Sequence, residues 1–134
     1  MKEEYFVDTS IWIPYFREAE SEYGDWIDEL IDENRVHTNG IVLAELLTGA
    51  GSDAEFSRLS MALAGLKYIP NGRLSFLAAG RYGFLLKRKG VSAPLSDVII
   101  AADCIEHGLI LIDTDKHYRT ISAHFPLKRA TRAK

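Results

Sequence analysis

Acidic side chains directly follow two short apolar runs that have the composition of buried strands. Asp8 comes after Tyr5–Val7, and Asp113 and Asp115 come after Leu109–Ile112. If the strands are parallel, their carboxyl ends meet at one edge of a sheet, where ligands are usually bound. The structural alternatives are that Asp8 only caps the helix that follows it and that the later pair only forms a polar turn.

Two further acids stand in apolar segments with helical character. Glu45 interrupts the run Ile41–Leu47, and Asp97 begins the run that continues through Val98–Ala102. A buried carboxylate without a partner is costly, so acids in such surroundings usually have a cation, hydrogen-bond donors or a metal ion. The alternatives are a solvent-facing side or an internal arginine pair for Glu45, and a favourable helix-dipole interaction for Asp97.

One shared site explains all of these acids together. We expect Asp8, Glu45, Asp97 and Asp115 to converge on it as metal ligands and catalytic residues. The single Cys104 lies in an apolar stretch typical of a buried, inert thiol, and the histidines form no H-x-x-x-H pair. Carboxylate oxygens suit Mg²⁺ or Mn²⁺ rather than zinc or copper. Phosphodiester hydrolysis needs an activated water, a neutralised non-bridging oxygen and a stabilised leaving 3′-oxygen, which one or two such cations can supply.

The elements that must position these acids alternate between short apolar strands and helices. This alternation argues for an α/β fold, with a parallel sheet that helices cover on both faces. We predict strands at Tyr5–Val7, Val36–His37, Lys67–Ile69 and Leu109–Ile112. In the first half of the chain we predict helices at Thr9–Phe16, interrupted by Pro14, at Ser21–Asn34, and at Ile41–Leu47 after an Asn39 cap. In the second half we predict helices from Ser52 or Asp53 to about Leu66, at Leu74–Lys89, and at Asp97–Glu106. The last of these has Ser96 as its cap and ends at Gly108.

The length and composition fit one globular domain spanning residues 1–134. The chain is 47% hydrophobic and 26% charged, its apolar runs are too short to cross a bilayer, and its start lacks a signal-peptide pattern. We therefore expect a cytoplasmic protein without a membrane partner.

The charge is distributed unevenly along the chain. Residues 1–55 carry fourteen acidic and three basic residues, whereas residues 56–134 carry five acidic and thirteen basic residues. The basic half can supply phosphate contacts, although a solvated surface is the ordinary alternative. The candidates for RNA contacts near the acidic site are Arg81, Lys87, Arg88, Lys116 and Arg119.

The acidic motifs resemble those of the PIN-domain family, and particularly its VapC-type toxins. The motifs are F-V-D-T-S-I-W-I at Asp8, A-E-L-L-T-G at Glu45, S-D-V-I-I-A-A-D from Ser96, and the closing L-I-L-I-D-T-D-K-H-Y. The resemblance covers nearly the whole chain. It implies a PIN-like three-layer α/β/α fold with a central, mainly parallel five-stranded sheet. It also implies an endoribonuclease that depends on Mg²⁺ or Mn²⁺, is usually a homodimer, and is silenced by a small antitoxin protein.

By this resemblance Asp8, Glu45 and Asp97 match the family's three firm acids. The spacing of the fourth motif selects Asp115, while Asp113 stands where the family usually has threonine and can add a fifth carboxylate or a supporting contact. Tyr118 stands where the family often has phenylalanine.

The D-T-S opening supplies two hydroxyl groups next to Asp8. Thr9 and Ser10 follow this family pattern, and their hydroxyls can contact a water on the metal or donate to Asp8. Capping of the first helix is an equally good explanation for both.

Two other classes of function have weaker support in the sequence. A haloacid-dehalogenase-type phosphatase also has an Asp after its first strand, but it needs D-x-D, and Ser10 stands where the second Asp would be. A PIN-like domain can also serve as a non-catalytic interaction module. The complete acidic set argues against that function, since a degenerate copy is expected to lose ligands.

Overall fold

A five-stranded, fully parallel sheet with the strand order β3-β2-β1-β4-β5 forms the centre of the computed structural model. The structure describes residues 2–18 and 20–130. Within them lie β1 (Tyr5–Val7), α1 (Thr9–Arg17), α2 (Gly24–Asp32), β2 (Val36–Asn39), α3 (Gly40–Thr48), α4 (Asp53–Ala64), β3 (Lys67–Ile69), α5 (Arg73–Arg88), α6 (Leu95–His107), β4 (Ile110–Ile112), α7 (Lys116–Ser122) and β5 (Lys128–Ala130). Residues 131–134 of the predicted domain lie outside the described residues.

The strand order places a topological switch between β1 and β4. The chain first moves from β1 to β2 and β3 on one side, and then returns to add β4 and β5 on the other side. Connections that diverge in this way leave a crevice at the carboxyl ends of the two central strands. The register pairs Val7 with Ile112, and the backbone N–H of Asp8 donates to the Ile112 carbonyl at 3.0 Å. Asp8 and Asp113 therefore leave the sheet side by side.

The central strands are apolar throughout because both of their faces are buried. Phe6, Val7, Leu111 and Ile112 are each 0% exposed, as expected for parallel strands that helices cover on both sides. On α6 the continuous run Val98–Cys104 is buried as well. The predicted three-layer α/β/α architecture is confirmed, and so is the buried, free thiol of Cys104. Burial raises the pKa of this thiol well above its usual range, so it remains protonated.

Most of the predicted elements are present, and several local signals are confirmed. The side chains of Asn39 and Ser52 accept the backbone N–H groups that begin α3 and α4. Gly108 ends α6 with a φ of 65°, a left-handed conformation that glycine adopts without strain. The predicted interruption at Pro14 is wrong, because α1 continues through Pro14 to Arg17.

Other local predictions are wrong or incomplete. Ser96 does not cap α6, because the helix already begins at Leu95, with Pro94 in the cap position. Proline is favourable next to a helix start, since its missing N–H has no partner to lose there. Helix α2 begins only at Gly24. Helix α7 and strand β5 were not predicted. Within the described ranges, no helix combines the length and the apolar character needed to cross a membrane.

Candidate metal centre

Asp8 is held by donors on both of its carboxylate oxygens. It follows β1 and is 5% exposed, and its Oδ2 accepts the backbone N–H of Ser10 at 3.0 Å as the cap of α1. Its Oδ1 accepts the hydroxyl of Tyr118 at 2.8 Å. The capping interpretation of Asp8 is therefore correct, and its second oxygen shares the Tyr118 hydroxyl with Asp97.

Asp97 lies in the first turn of α6, and its side chain is only 13% exposed. Its Oδ1 is 3.3 Å from the Tyr118 hydroxyl, which also contacts Asp8. Burial raises the pKa of Asp97 to about 6, and the negative charges of Asp115 and Asp8 add to the rise. The ionised carboxylates therefore repel one another across the site, and a cation between them would relieve this repulsion.

Asp115 joins the same group from the loop after β4. It caps α7, because its Oδ1 accepts the backbone N–H of His117 at 2.8 Å. The imidazole Nδ1 of His117 lies 3.0 Å from Asp115 Oδ1 and 3.1 Å from Asp97 Oδ2. One atom from each of these three residues lies within 4.8 Å of the other two, so a single ion can reach all three.

Glu45 is placed differently from the expectation. The prediction of a buried Glu45 is wrong, because its position on α3 is exposed to solvent. The neighbours of Glu45 in the sequence are apolar, but only Val42 and Leu46 of α3 are buried. Glu45 still adjoins the site, since its Oε1 accepts the hydroxyl of Thr9 at 2.8 Å, and Thr9 follows Asp8 directly.

The hydroxyls of the D-T-S opening have separate partners. Thr9 orients Glu45, while the Ser10 hydroxyl oxygen accepts the backbone N–H of Thr114 at 3.2 Å. Ser10 thereby fixes the loop between Asp113 and Asp115 against the start of α1.

Both carboxylate oxygens of Asp113 are engaged by an arginine from the last strand. Arg129 donates from Nε to Oδ2 at 3.0 Å and from a terminal nitrogen to Oδ1 at 2.7 Å, and Asp113 is fully buried. Desolvation raises the pKa of Asp113, and Arg129 opposes that rise. A bidentate ion pair of this kind leaves little capacity for a metal ion.

Sequence reasoning missed the most deeply placed acid of α6. Asp103 is 2% exposed, and its carboxylate accepts the amide nitrogens of Asn39 at 2.7 Å and Asn71 at 2.9 Å. The signal was an acid within an apolar helix, the same signal that drew attention to Glu45. Asp103 and Asn39 fix α6 against the carboxyl end of β2.

The five basic candidates lie on α5 and α7 and are exposed. Within residues 2–18 and 20–130, none of them forms an ion pair with an acid of the site. The guanidinium groups of Arg81 and Arg88 lie 5.8 Å and 5.6 Å from the ring of Phe84. Lys87 lines a depression with Leu95 and Val98, residues that flank Asp97 in α6. Their role in RNA binding stays a prediction.

The donor set fits a small divalent cation. Asp8, Asp97 and Asp115 offer hard oxygen atoms at a switch point of the sheet, and burial, together with repulsion from the other two acids, raises the pKa of Asp97. Mg²⁺ and Mn²⁺ bind such oxygen-rich sites. Asp8, Asp97 and Asp115 are the residues that would hold the ion, with Glu45 at the margin.

Comparisons with known proteins identify the family. Residues 5–123 match the PIN domain family. The chain is 27% identical over 129 residues to Ribonuclease VapC11 of Mycobacterium tuberculosis and to VapC ribonuclease Mb1587 of Mycobacterium bovis, covering 93% of this chain and 96% of each relative.

Solved structures share the fold at lower sequence identity. VapBC2 from Rickettsia felis bound to a promoter DNA fragment matches with a TM-score of 0.80 and 23% identity, over 94% of this chain and 96% of the other. DNA-bound VapBC from Salmonella typhimurium matches with a TM-score of 0.77 and 17% identity, over 96% and 98%. Because the family match extends from β1 through α7 and includes all four predicted acids, the chain belongs to the PIN domain family.

Proposed function

We propose that this protein is an endoribonuclease that depends on Mg²⁺ or Mn²⁺ and acts as the toxin of a toxin–antitoxin pair. The observation that carries the proposal is the convergence of Asp115 and Asp8 on the half-buried Asp97 at the switch point of the sheet, where burial, followed by the charges of Asp115 and Asp8, raises the pKa of Asp97 to about 6. The relatives named as VapC ribonucleases support RNA as the substrate. With RNA as the substrate, we place the activity in the cytoplasm and treat residues 1–134 as one functional domain.

The protein side chains prepare the site for phosphodiester hydrolysis. When bound, the cation supplies positive charge to the non-bridging oxygen and the leaving 3′-oxygen of the phosphodiester. The N–H of Ser10 and the Tyr118 hydroxyl fix the direction of the Asp8 carboxylate, so its geometry is set before a ligand arrives. Thr9 orients Glu45 at the open side of the site. Asp113 supports the loop through Arg129 rather than binding metal.

The test is RNA cleavage by purified protein in EDTA and after addition of Mn²⁺ or Mg²⁺. We expect no cleavage in EDTA, recovery with either ion, and products that end in a 3′-hydroxyl and a 5′-phosphate, because the 3′-oxygen is the leaving group. Asp97→Asn and Asp115→Asn should abolish cleavage in both ions. Asp25→Asn, an exposed acid in the first turn of α2, is the matched control and should retain it.

Cleavage that persists in EDTA or yields 2′,3′-cyclic phosphate ends would contradict the metal mechanism. If the protein binds Mn²⁺ and RNA but cleaves nothing, the non-catalytic interaction module becomes the better description. The phosphatase alternative has no support from the geometry, since Ser10 occupies the position of its second Asp and contacts the Thr114 backbone instead.

An apolar groove beside the site provides a surface for the proposed antitoxin. It lies between α1, α3 and α4, with Leu46 and Leu59 buried beneath it and Ile13 exposed at its rim. Glu45 lines the same groove, so a segment seated there would contact the margin of the metal centre. The product of a short adjacent reading frame should therefore co-purify with the parent protein and fail to co-purify with Ile13→Asp. Retention by that variant would place the antitoxin elsewhere.

Exposed apolar side chains on α5 and α6 support a homodimer. Leu77 is 61% exposed and Leu95 is 66% exposed, and Phe84 lines a depression with Leu95. Large apolar side chains clustered on a surface are typical of protein interfaces. Light scattering should show a dimer for the parent and a monomer for Leu77→Asp. Met61→Asp, at an even more exposed apolar position on α4, should remain dimeric.

A further inference from the structure

The imidazole of His117 has a contact pattern that an ordinary ion pair does not explain. Its Nδ1 is buried and lies 3.0 Å and 3.1 Å from oxygens of Asp115 and Asp97. At these distances a hydrogen bond is expected, yet Nδ1 has no partner with hydrogen-bond geometry. The nitrogen therefore faces both oxygens without donating to either of them.

The same distances match the edges of a coordination sphere. Octahedral ligands about 2.1 Å from a cation lie about 3.0 Å from their neighbours. His117 Nδ1 has this separation from one oxygen of Asp115 and one oxygen of Asp97, and one ligand atom from each of the three residues lies within 4.8 Å of the other two. The backbone of His117 is fixed as well, because its N–H donates to Asp115 at the start of α7.

We propose that His117 is a nitrogen ligand of the metal centre, which makes the site selective for Mn²⁺ over Mg²⁺. This inference rests on the proposed function. Mg²⁺ strongly prefers oxygen ligands, whereas imidazole suits transition-metal ions. A site with one nitrogen among its carboxylates should therefore hold Mn²⁺ more tightly than an all-oxygen site would.

The experiment measures the metal directly and requires no turnover. Pulsed electron paramagnetic resonance of the Mn²⁺-loaded protein should show coupling to a directly bound nitrogen. That coupling should change when the histidines are labelled with ¹⁵N, and it should disappear in His117→Gln. Calorimetry should show that the ratio of Mn²⁺ to Mg²⁺ affinity falls about tenfold or more in this variant, which corresponds to about 1.4 kcal/mol. His124→Gln, an exposed histidine just after α7, should keep both properties of the parent.

The outcomes separate this inference from the proposed function. If Mn²⁺ binds the parent and is lost in Asp97→Asn, but no nitrogen coupling is seen, the metal centre stands and His117 is only an ion-pair partner of the acids. An unchanged affinity ratio in His117→Gln would overturn the proposal in the same way. If Mn²⁺ does not bind the parent, both proposals fail. Melting of each variant in EDTA shows whether it folds, and His117→Asn serves as a second substitution.

Discussion

The hydroxyl of Tyr118 donates a hydrogen bond to Oδ1 of Asp8 across 2.8 Å, although the two residues are 110 positions apart in the sequence. Tyr118 is fully buried on α7, and its pKa is raised far above its usual range by burial and by the nearby carboxylates. The phenol therefore stays protonated and acts only as a donor when it contacts a carboxylate. A buried donor at this position holds the second carboxylate oxygen of Asp8, whose first oxygen accepts the Ser10 N–H.

Replacing Tyr118 with phenylalanine should keep the fold but weaken the site. The change removes one hydrogen bond to a charged acceptor, and the free energy of unfolding in EDTA should fall by about 1 to 3 kcal/mol. Mn²⁺ affinity should also fall, because Asp8 loses the donor that fixes its direction. Denaturant titration and calorimetry measure these two effects. Tyr82→Phe, which removes an exposed contact to Glu106, should change stability by less than about 1 kcal/mol and leave Mn²⁺ affinity unchanged.

Asp97→Asn should stabilise the metal-free protein at neutral pH. The pKa of Asp97 is raised from 3.8 to about 6 in the folded state, so the folded protein binds the proton of this carboxyl more tightly than the unfolded chain does. The stability that the protonated carboxyl contributes is therefore fully present below pH 3.8 and is lost as the pH rises through about 6. We expect the variant to exceed the parent by about 1 to 3 kcal/mol above pH 6 in EDTA. The two proteins should converge toward pH 4.

Saturating Mn²⁺ should offset most or all of this difference. At about a hundred times its dissociation constant, an ion that binds only the folded state adds about 2.7 kcal/mol to the parent, and Asp97→Asn should lose most of that gain. Thermal melts in EDTA and in Mn²⁺ measure both effects. A variant that is destabilised equally in the two conditions would show that Asp97 is a structural acid and not a ligand.

Asp113 and Arg129 should behave as a structural pair. Arg129→Met leaves a buried carboxylate without its cation and should cost about 3 to 5 kcal/mol of unfolding free energy. The double variant Asp113→Asn/Arg129→Met should recover much of that loss. Asp113→Asn should bind Mn²⁺ like the parent, whereas Asp115→Asn should not. Loss of Mn²⁺ binding in a folded Asp113→Asn protein would instead make Asp113 a ligand.

Asp103→Ala should destabilise the protein without removing a metal ligand. The change leaves the buried amide of Asn39 and the half-buried amide of Asn71 without an acceptor, so the cost should be about 2 to 4 kcal/mol. Chemical denaturation measures this loss. Glu29→Ala, on an exposed position of α2, should change stability by less than about 0.5 kcal/mol. An Asp103→Ala protein as stable as the parent would contradict the importance of this network.

Contacts between basic side chains and RNA phosphates should make the RNA affinity depend on salt concentration. If Lys87 and Lys116 each neutralise one phosphate, replacing either one with glutamine should reduce the slope of log affinity against log salt concentration by about 0.7 for single-stranded RNA. Lys2→Gln is the control, since Lys2 pairs with Glu33 rather than facing the metal centre. Binding experiments should use Asp97→Asn in every case to prevent cleavage. Equal slopes for all variants would remove both lysines from the RNA interface.

The sequence alone determined the order of the elements from β1 to β4 and the identity of most acids at the site. Strands such as Tyr5–Val7 and Lys67–Ile69 were predicted with the bounds that the structure shows, because apolar runs and capping residues act over a few neighbouring positions. Asp8, Asp97 and Asp115 stand beside such local boundaries. Their types and spacing therefore indicated a metal site before any contact was known.

Only the tertiary structure decided which side of each element faces the interior. Glu45 and Asp103 both interrupt apolar helices, yet packing exposes Glu45 on α3 and buries Asp103 on α6. Strand β5 is the basic segment Lys128–Ala130, which lacks an apolar pattern of its own. It is recognisable only in the folded sheet, where it pairs with β4 and Arg129 forms an ion pair with Asp113. The contacts of His117 and Tyr118 depend on how α7 docks against α6. Such long-range packing leaves no periodic signal in the sequence, because the partners are far apart along the chain.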